Sequence, residues 1–197
     1  MNNQPESYPA RLEVDFPEQF DRLTTLLRII WIIPILVILV LLSGGEEGIA
    51  TGLAVATALM IVVRQRYPRW WFDFSRELAR FEGRVIAYSA LLTDQLPSTV
   101  EEQSVHIEID YPDVEQDLNR WLPLVKWLLA IPHYIVLLFL GLVVVIAVIV
   151  AWFAILITVQ YPRGLFDFVV GVLRWALRVQ AYAFLLVTDR YPPFSLD

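Results

Sequence analysis

The chain contains no cysteine and only two histidines, His106 and His133. Without cysteine it can form no disulfide, thiolate nucleophile or cysteine-based metal site. Two histidines are too few for a histidine-rich metal centre. The sequence also lacks a phosphate-binding glycine loop, a His-Glu-x-x-His pair and a Gly-x-Ser-x-Gly elbow. These absences argue against an enzyme, and we expect no cofactor.

Charged residues are also scarce: they make up 18% of the 197 residues, whereas 57% are hydrophobic and the mean hydropathy is +0.57. Such a chain is too apolar for an ordinary soluble domain. The net charge of -6 gives no support for nucleic-acid binding. The first residues lack the basic segment of a secretory signal. The composition therefore predicts an integral membrane protein.

The main positive feature of the sequence is an internal duplication. An alternating, strand-like pattern closed by proline opens each copy, and the triplet Tyr-Pro-Arg returns in each. The matching positions are 12–17 and 107–112, Arg28 and Lys126, Pro34 and Pro132, 65–74 and 159–168, 80–88 and 174–182, and Thr93-Asp94 and Thr188-Asp189. We assign repeat 1 to residues 8–97, a linker to 98–105 and repeat 2 to 106–194. A residue kept in both copies serves the shared architecture, whereas one present in a single copy is a candidate for another role.

Apolar segments of the length of a membrane span occur in both copies. In repeat 1, segments 23–42 and 49–63 flank a turn-rich, acidic connection at 43–48. In repeat 2, the apolar run 127–159 is about 50 Å long as one helix, well beyond the roughly 30 Å hydrocarbon core. We therefore predict that this run turns once, at Gly141. The predicted fold class is a mainly α membrane protein with four transmembrane helices, arranged as two parallel helical-hairpin repeats.

The basic residues predict the orientation in the membrane. Every arginine, and Lys126, lies outside the two predicted hairpin connections. Because cytoplasmic loops are enriched in Lys and Arg, we expect both termini to be cytoplasmic. Aromatic residues near the same boundary predict an interfacial belt. Its expected members are Tyr67, Trp70, Trp71, Trp121, Trp127 and Tyr161.

The alternating segments predict a small cytoplasmic two-stranded β element, formed by pairing one strand from each copy. Four carboxylates would then share one face: Glu13, Asp15, Glu108 and Asp110. Carboxylate oxygens are the ligands of hard cations, so these residues are weak metal-site candidates. The alternative, which we favour, is a solvated acidic face paired with nearby arginines.

After each Tyr-Pro-Arg triplet, apolar residues at four-three spacing predict an amphipathic helix lying in the membrane interface. Its arginines would face headgroups or a partner protein. The candidate lipid- or partner-binding residues are Arg80, Arg84, Arg174, Arg178, Arg69 and Arg163. In repeat 2, residues 165–187 are apolar enough for a fifth span, but the arginines near the middle favour the interfacial helix.

His133 is an ionisable residue within a predicted span, which makes it a functional-site candidate. Its counterpart in repeat 1 is Ile35, so the shared architecture does not require it. We favour a hydrogen-bonded interfacial histidine over a proton-transfer or ligand-binding role.

The segments Asn119-Arg120-Trp121-Leu122-Pro123-Leu124-Val125-Lys126-Trp127 and Ile131-Pro132-His133-Tyr134 resemble the signature of a bacterial family of integral membrane proteins of unknown function. The later segments Tyr161-Pro162-Arg163 and Phe166-Asp167-Phe168 share this resemblance. It covers most of repeat 2 closely and repeat 1 more loosely. The resemblance implies a bacterial cytoplasmic membrane location and no particular activity.

Three functions are compatible with the sequence. We favour a non-enzymatic membrane module that binds lipid, another membrane protein or a second copy of itself. The alternative is a small transporter or channel with a path at the repeat interface, and the third is a metal-dependent membrane enzyme. Spans whose only ionisable residue away from the ends is His133 favour a packed scaffold over an ion path.

Overall fold

A computed structural model describes residues 8–43, 49–98, 101 and 103–197, without the side chains of residues 29, 38, 40–43 and 49–51. The predicted connection at 44–48 and linker residues 99, 100 and 102 lie outside the described residues. In chain order the elements are β1 Ala10–Val14, α1 Arg22–Ser43, α2 Ile49–Arg64, α3 Arg69–Ser89, β2 Val105–Ile109, α4 Val114–Asp117, α5 Pro123–Leu129, α6 Ile131–Thr158 and α7 Arg163–Ala183. The mainly helical fold with a small sheet is confirmed.

Strands β1 and β2 form a two-stranded antiparallel sheet. Leu12 lies opposite Ile107, which occupies the same position of the repeat, and Arg11 lies opposite Glu108 while Glu13 lies opposite His106. This register is symmetric, because each pair is the repeat-equivalent of another pair. The predicted strand pairing across a local two-fold axis is therefore confirmed.

Helices α3 and α7 hold this sheet from both copies. The apolar residues of each helix recur at helical spacing, and their buried faces include Phe72 and Val85 of α3 and Val169 and Leu177 of α7. Helix α7 contacts β1 and α6, and α3 contacts β2. The amphipathic helices therefore exist, but their main apolar faces pack against protein rather than against acyl chains.

The predicted turn at Gly141 is wrong, because α6 is one continuous helix of 28 residues. A glycine inside a helix costs only about 1 kcal/mol relative to alanine, and no proline or polar turn residue accompanies it. The chain breaks instead at Ala130, between α5 and α6. Pro132 favours a break here, because it lacks a backbone N–H and its ring clashes with the preceding turn, although the equivalent Pro34 lies inside α1.

Only one helix among the described residues, α6, is long and apolar enough to cross a membrane, and residues 52–64 form a shorter apolar helix. The four predicted transmembrane helices are therefore not supported. Helix α7 does not meet the same test, so a fifth span at 165–187 is not supported either.

Helix α1 of repeat 1 packs against α6 of repeat 2, and α5 of repeat 2 packs against α2 of repeat 1. Arg22, at the start of α1, donates to the carbonyl of Ile157 at 3.0 Å, and the equivalent Arg120 donates to the carbonyl of Val62 at 2.6 Å. Each arginine thereby satisfies a carbonyl in the last turn of a helix, where no intrahelical donor is available. Helices of each copy are thus bonded directly to helices of the other copy.

Candidate functional site: a duplicated cation cluster and its surroundings

A buried arginine joins α1 to the loop that follows α3. Arg28 is 4% exposed, and its Nη1 donates to the carbonyls of Tyr88 at 2.8 Å and Thr93 at 2.9 Å. Its Nη2 forms an ion pair with Asp94, and its guanidinium carbon lies 4.4 Å from the centroid of the Tyr88 ring. A buried charge is tolerated only when paired and hydrogen-bonded, and this cluster meets both conditions.

Repeat 2 builds the same cluster with a lysine. Lys126 is fully buried, and its Nζ lies 2.7 Å from both the Thr188 carbonyl oxygen and an Asp189 carboxylate oxygen. The ammonium group also lies 5.2 Å from the centroid of the Tyr182 ring. Burial lowers the pKa of Lys126, and the bond to Asp189 acts in the opposite direction. Cation, ring, carbonyl and carboxylate therefore occupy equivalent positions in both copies.

The two carboxylates also bind the backbone just before α1 and α5, the helices that carry the cations. The second oxygen of Asp94 accepts the backbone N–H of Asp21 at 2.9 Å, and that of Asp189 accepts the backbone N–H of Asn119. The Asp21 carboxylate in turn accepts the backbone N–H of Thr24 at 3.2 Å in the first turn of α1. In each cluster the charges of cation and carboxylate balance. The ion pair joins the start of an apolar helix, α1 or α5, to the loop that follows an amphipathic helix, α3 or α7.

The family model of a domain of unknown function, DUF4389, matches residues 22–101 and again residues 121–195. The chain belongs to the DUF4389 family. The double match confirms the predicted tandem duplication. No curated protein and no solved structure shows significant similarity to the chain.

The DUF4389 matches contain both cation clusters, whereas β1 and β2 lie outside them. The internal repeat aligns Arg28 with Lys126 and Asp94 with Asp189, but it does not indicate that each cation meets a carboxylate. The available signal was that each copy keeps one cation early and one Thr-Asp late. Two residues about 65 apart give no local pattern, so only the tertiary fold brings them together.

The arginine stripes of the DUF4389 copies bind backbone carbonyls. Arg80 donates to the carbonyl of Ile107 in β2 at 2.9 Å, and the equivalent Arg174 donates to that of Leu12 in β1 at 3.1 Å. Arg84 and Arg178 likewise bind carbonyls, those of Ser98 and of Ser195 and Asp197 respectively. These four candidate lipid-binding residues thus anchor the sheet and neighbouring loops.

The remaining two candidates, Arg69 and Arg163, lie at the surface with side chains 65% exposed. Arg69 pairs with Asp73 at 3.7 Å, and Arg163 pairs with Asp167 at 3.2 Å. Each guanidinium also lies over an aromatic ring of the other copy's strand end, within 4.6 Å of the Tyr111 and 4.4 Å of the Phe16 centroid. Of the six predicted arginines, these two keep the most accessible charge.

The predicted aromatic belt is partly wrong. Trp70, Trp121 and Trp127 are 58–69% exposed, but Tyr67 and Tyr161 are buried. Tyr67 donates to the carbonyl of Leu185 at 3.1 Å, and Tyr161 to that of Ala90 at 3.4 Å. Burial raises the pKa of each tyrosine to about 12. These tyrosines join the two copies, so their side chains are not exposed as those of an interfacial belt would be.

The acidic face of the sheet forms ion pairs with the opposite strand. Arg11 contacts Glu108 at 3.1 Å and Asp110 at 3.0 Å, and the equivalent His106 contacts Asp15 at 3.2 Å. The hydrogen bond to Asp110 raises the pKa of Arg11. The pairing partners are therefore residues of the strands, not the arginine stripes. Within the described residues, no group of three or more His, Asp or Glu side chains has a metal-binding arrangement. Glu13, Asp15, Glu108 and Asp110 therefore form no such group.

His133 is fully buried in an aromatic cluster at the start of α6. Its Nδ1 accepts the indole N–H of Trp175 at 3.1 Å, and its ring stacks on Phe194 with 4.0 Å between centroids. This placement agrees with the hydrogen-bonded histidine that the sequence analysis favoured.

Proposed function

We propose that this DUF4389 protein is a non-enzymatic module of the bacterial cytoplasmic membrane that binds lipid through the apolar faces of α1, α2 and α6. The observation that carries the proposal is the two-sided character of α6. Ala147, Ala151 and Ile155 are buried on one side of the helix. The rest of the helix surface presents eleven large apolar residues that are at least 49% exposed, namely Ile135, Leu138, Phe139, Leu142, Val143, Val145, Ile146, Ile149, Val150, Phe153 and Ile157.

Such a surface is costly in water. Contiguous apolar patches on soluble monomers rarely exceed a few hundred Å², and larger ones mark membranes or partners. At about 1.5 Å per residue, α6 is about 42 Å long, so it exceeds the roughly 30 Å hydrocarbon core and can cross it when tilted. We propose that this face contacts the acyl chains of the membrane. In this arrangement α1 and α2 form the membrane hairpin of repeat 1, and α6 is the single membrane helix of repeat 2.

The polar end of the molecule supports a cytoplasmic location for both termini. The Tyr8 hydroxyl donates to the carbonyl of Arg178 at 3.3 Å, and Arg178 itself donates to the carbonyl of Ser195 at 3.4 Å. Both described chain ends therefore lie beside the sheet and the arginine stripes. Arg69 and Arg163, whose side chains are 65% exposed at the starts of α3 and α7, are the residues that we expect to contact lipid phosphates.

Alkaline carbonate extraction of membranes from expressing cells tests the proposal. We expect the wild-type protein to remain in the membrane pellet. Leu138→Arg should reduce the retained fraction, because an arginine on the lipid face costs about 2.5–3.5 kcal/mol on insertion scales. Leu96→Arg is the matched control, since Leu96 is 53% exposed in a loop outside the apolar face. Release of the wild-type protein into the supernatant would refute membrane integration.

A further inference from the structure

A groove between α1 and α6 combines apolar walls with a polar inner end. Its volume is about 550 Å³, within the range of small-molecule sites. Thr25, Arg28 and Ser89 line the polar part, and the apolar walls are Ile32, Leu36, Leu91, Val148, Ile149, Trp152 and Phe153. Because Leu36 and Ile149 are also 40% and 52% exposed, the groove opens sideways onto the apolar face of the protein.

Two buried polar atoms at the inner end have no hydrogen-bond partner among the described residues: Thr25 Oγ1 and Arg28 Nε. Thr25 is fully buried and Arg28 is 4% exposed. A buried polar group left unsatisfied is costly, and most such groups in proteins are paired with protein or ligand atoms. Both atoms can donate, so the missing partner is an acceptor.

The duplication provides an internal comparison for this groove. The repeat-equivalent of Thr25 is Pro123, which has no hydroxyl, and the equivalent of Trp152 is Ala58. The equivalent of Arg28 is Lys126, whose Nζ already contacts the Thr188 carbonyl. This pair of unsatisfied donor atoms is therefore particular to repeat 1, because Pro123 has no hydroxyl and Lys126 has no guanidinium Nε.

We propose that this groove binds one acyl chain of an ester-linked membrane lipid, with the ester carbonyl accepting hydrogen bonds from Thr25 Oγ1 and Arg28 Nε. The guanidinium charge is already neutralised by Asp94, which favours an uncharged acceptor over a second anion. The apolar walls then hold the chain beyond the carbonyl. This proposal rests on membrane integration and adds a defined lipid site to it.

The test uses the full chain in nanodiscs that contain a phosphatidylcholine with a diazirine in one acyl chain. After illumination, mass spectrometry maps the labelled peptides. We expect labelling to concentrate on α1 and on residues near 148–153 of α6. Competing diester phosphatidylcholine should suppress this labelling at concentrations about three- to tenfold lower than the diether analogue, because the ether lacks the carbonyl acceptor.

Two variants separate the groove from the surface around it. Ile149→Trp should fill the groove and abolish the concentrated labelling, whereas Val55→Trp should preserve it. Val55 is the repeat-equivalent of Ile149 and is similarly exposed, at 54% against 52%. Thr25→Val should keep the shape of the groove and reduce the preference for the ester over the ether, because Arg28 Nε remains as the second donor.

The outcomes distinguish the two proposals. If carbonate releases the wild-type protein, membrane integration itself is wrong. If the protein remains in the membrane but the label spreads evenly over the apolar helices, the groove is not a lipid site. Equal loss of labelling in the Ile149→Trp and Val55→Trp variants overturns it too, as does equal competition by ester and ether lipids in the wild-type protein.

Discussion

Replacing Asp189 by asparagine removes the charge opposite Lys126 and changes little else. The asparagine side-chain oxygen can still accept the backbone N–H of Asn119, which Asp189 now accepts. The Lys126 ammonium keeps the carbonyl of Thr188 at 2.7 Å and the ring of Tyr182 at 5.2 Å, but loses its counter-ion. The substitution therefore isolates the ion pair from the rest of the cluster.

The expected cost is large because Lys126 is 0% exposed. Breaking a buried pair by removing one partner costs about 3–5 kcal/mol. Because the ammonium of Lys126 keeps its other contacts, we expect Asp189→Asn to lie at the lower end, about 3 kcal/mol. Lys126→Met should cost less, about 1–2 kcal/mol, since the Asp189 side chain is 21% exposed and keeps its backbone bond. The double variant should cost about as much as Lys126→Met alone, so the coupling energy equals the cost of Asp189→Asn, about 3 kcal/mol.

The free energy of unfolding is measured in mild detergent by tryptophan fluorescence for all four proteins. The pH dependence adds a second readout. In the folded state, burial lowers the pKa of Lys126 below its ordinary 10.5, so the unfolded state binds more protons between these two values and stability rises with pH there. Asp189 opposes this lowering, so its loss should lower the pKa of Lys126 further, and the Asp189→Asn defect should shrink at alkaline pH, whereas that of the double variant should not. Additive single effects, or a defect independent of pH, would refute the buried pair.

Three further predictions address other parts of the fold. Gly141→Ala should raise the free energy of unfolding by up to about 1 kcal/mol, because alanine favours a helix and its Cβ would meet no other atom within 4 Å. A marked loss of stability in thermal unfolding would instead indicate a turn at this position. Arg174→Gln should lower the free energy of unfolding by about 1–2 kcal/mol, because the bond to the Leu12 carbonyl is lost. Amide hydrogen exchange in β1 should then be faster in the variant than in the wild type, and unchanged exchange would contradict the anchoring role. His133→Leu should cost about 1–3 kcal/mol by stranding the indole N–H of Trp175, yet leave groove labelling intact; lost labelling would give His133 a ligand role.

Local patterns predicted the elements whose cause is local. Period-two alternation predicted β1 and β2, and four-three spacing predicted the helices after each Tyr-Pro-Arg triplet. The predicted turn at Gly141 is absent because the residues around it include no proline or polar turn residue, and the length of an apolar segment does not by itself produce a turn. Pro132 is the stronger breaker, since it removes a donor and clashes with the preceding turn.

Side-chain partners could not be predicted in the same way. Arg80 and Arg174 form a stripe that is typical of a headgroup-facing helix, but the open strands offer carbonyls on the same side. The sequence contains the donor and not the position of the acceptor. A surface arginine and a sheet-anchoring arginine are therefore identical until the elements are packed.

By itself, the sequence determined that this chain is a tandem duplication, mainly helical, rich in apolar residues and without cysteine chemistry. Those properties depend on composition and short-range periodicity, which folding does not alter. Tertiary structure decided which repeated residues meet: Arg28 with Asp94, and Lys126 with Asp189, across about 65 residues of chain. It also decided that the hydroxyl of Thr25 has no partner among the described residues beside an apolar groove, because that depends on where each neighbouring acceptor lies.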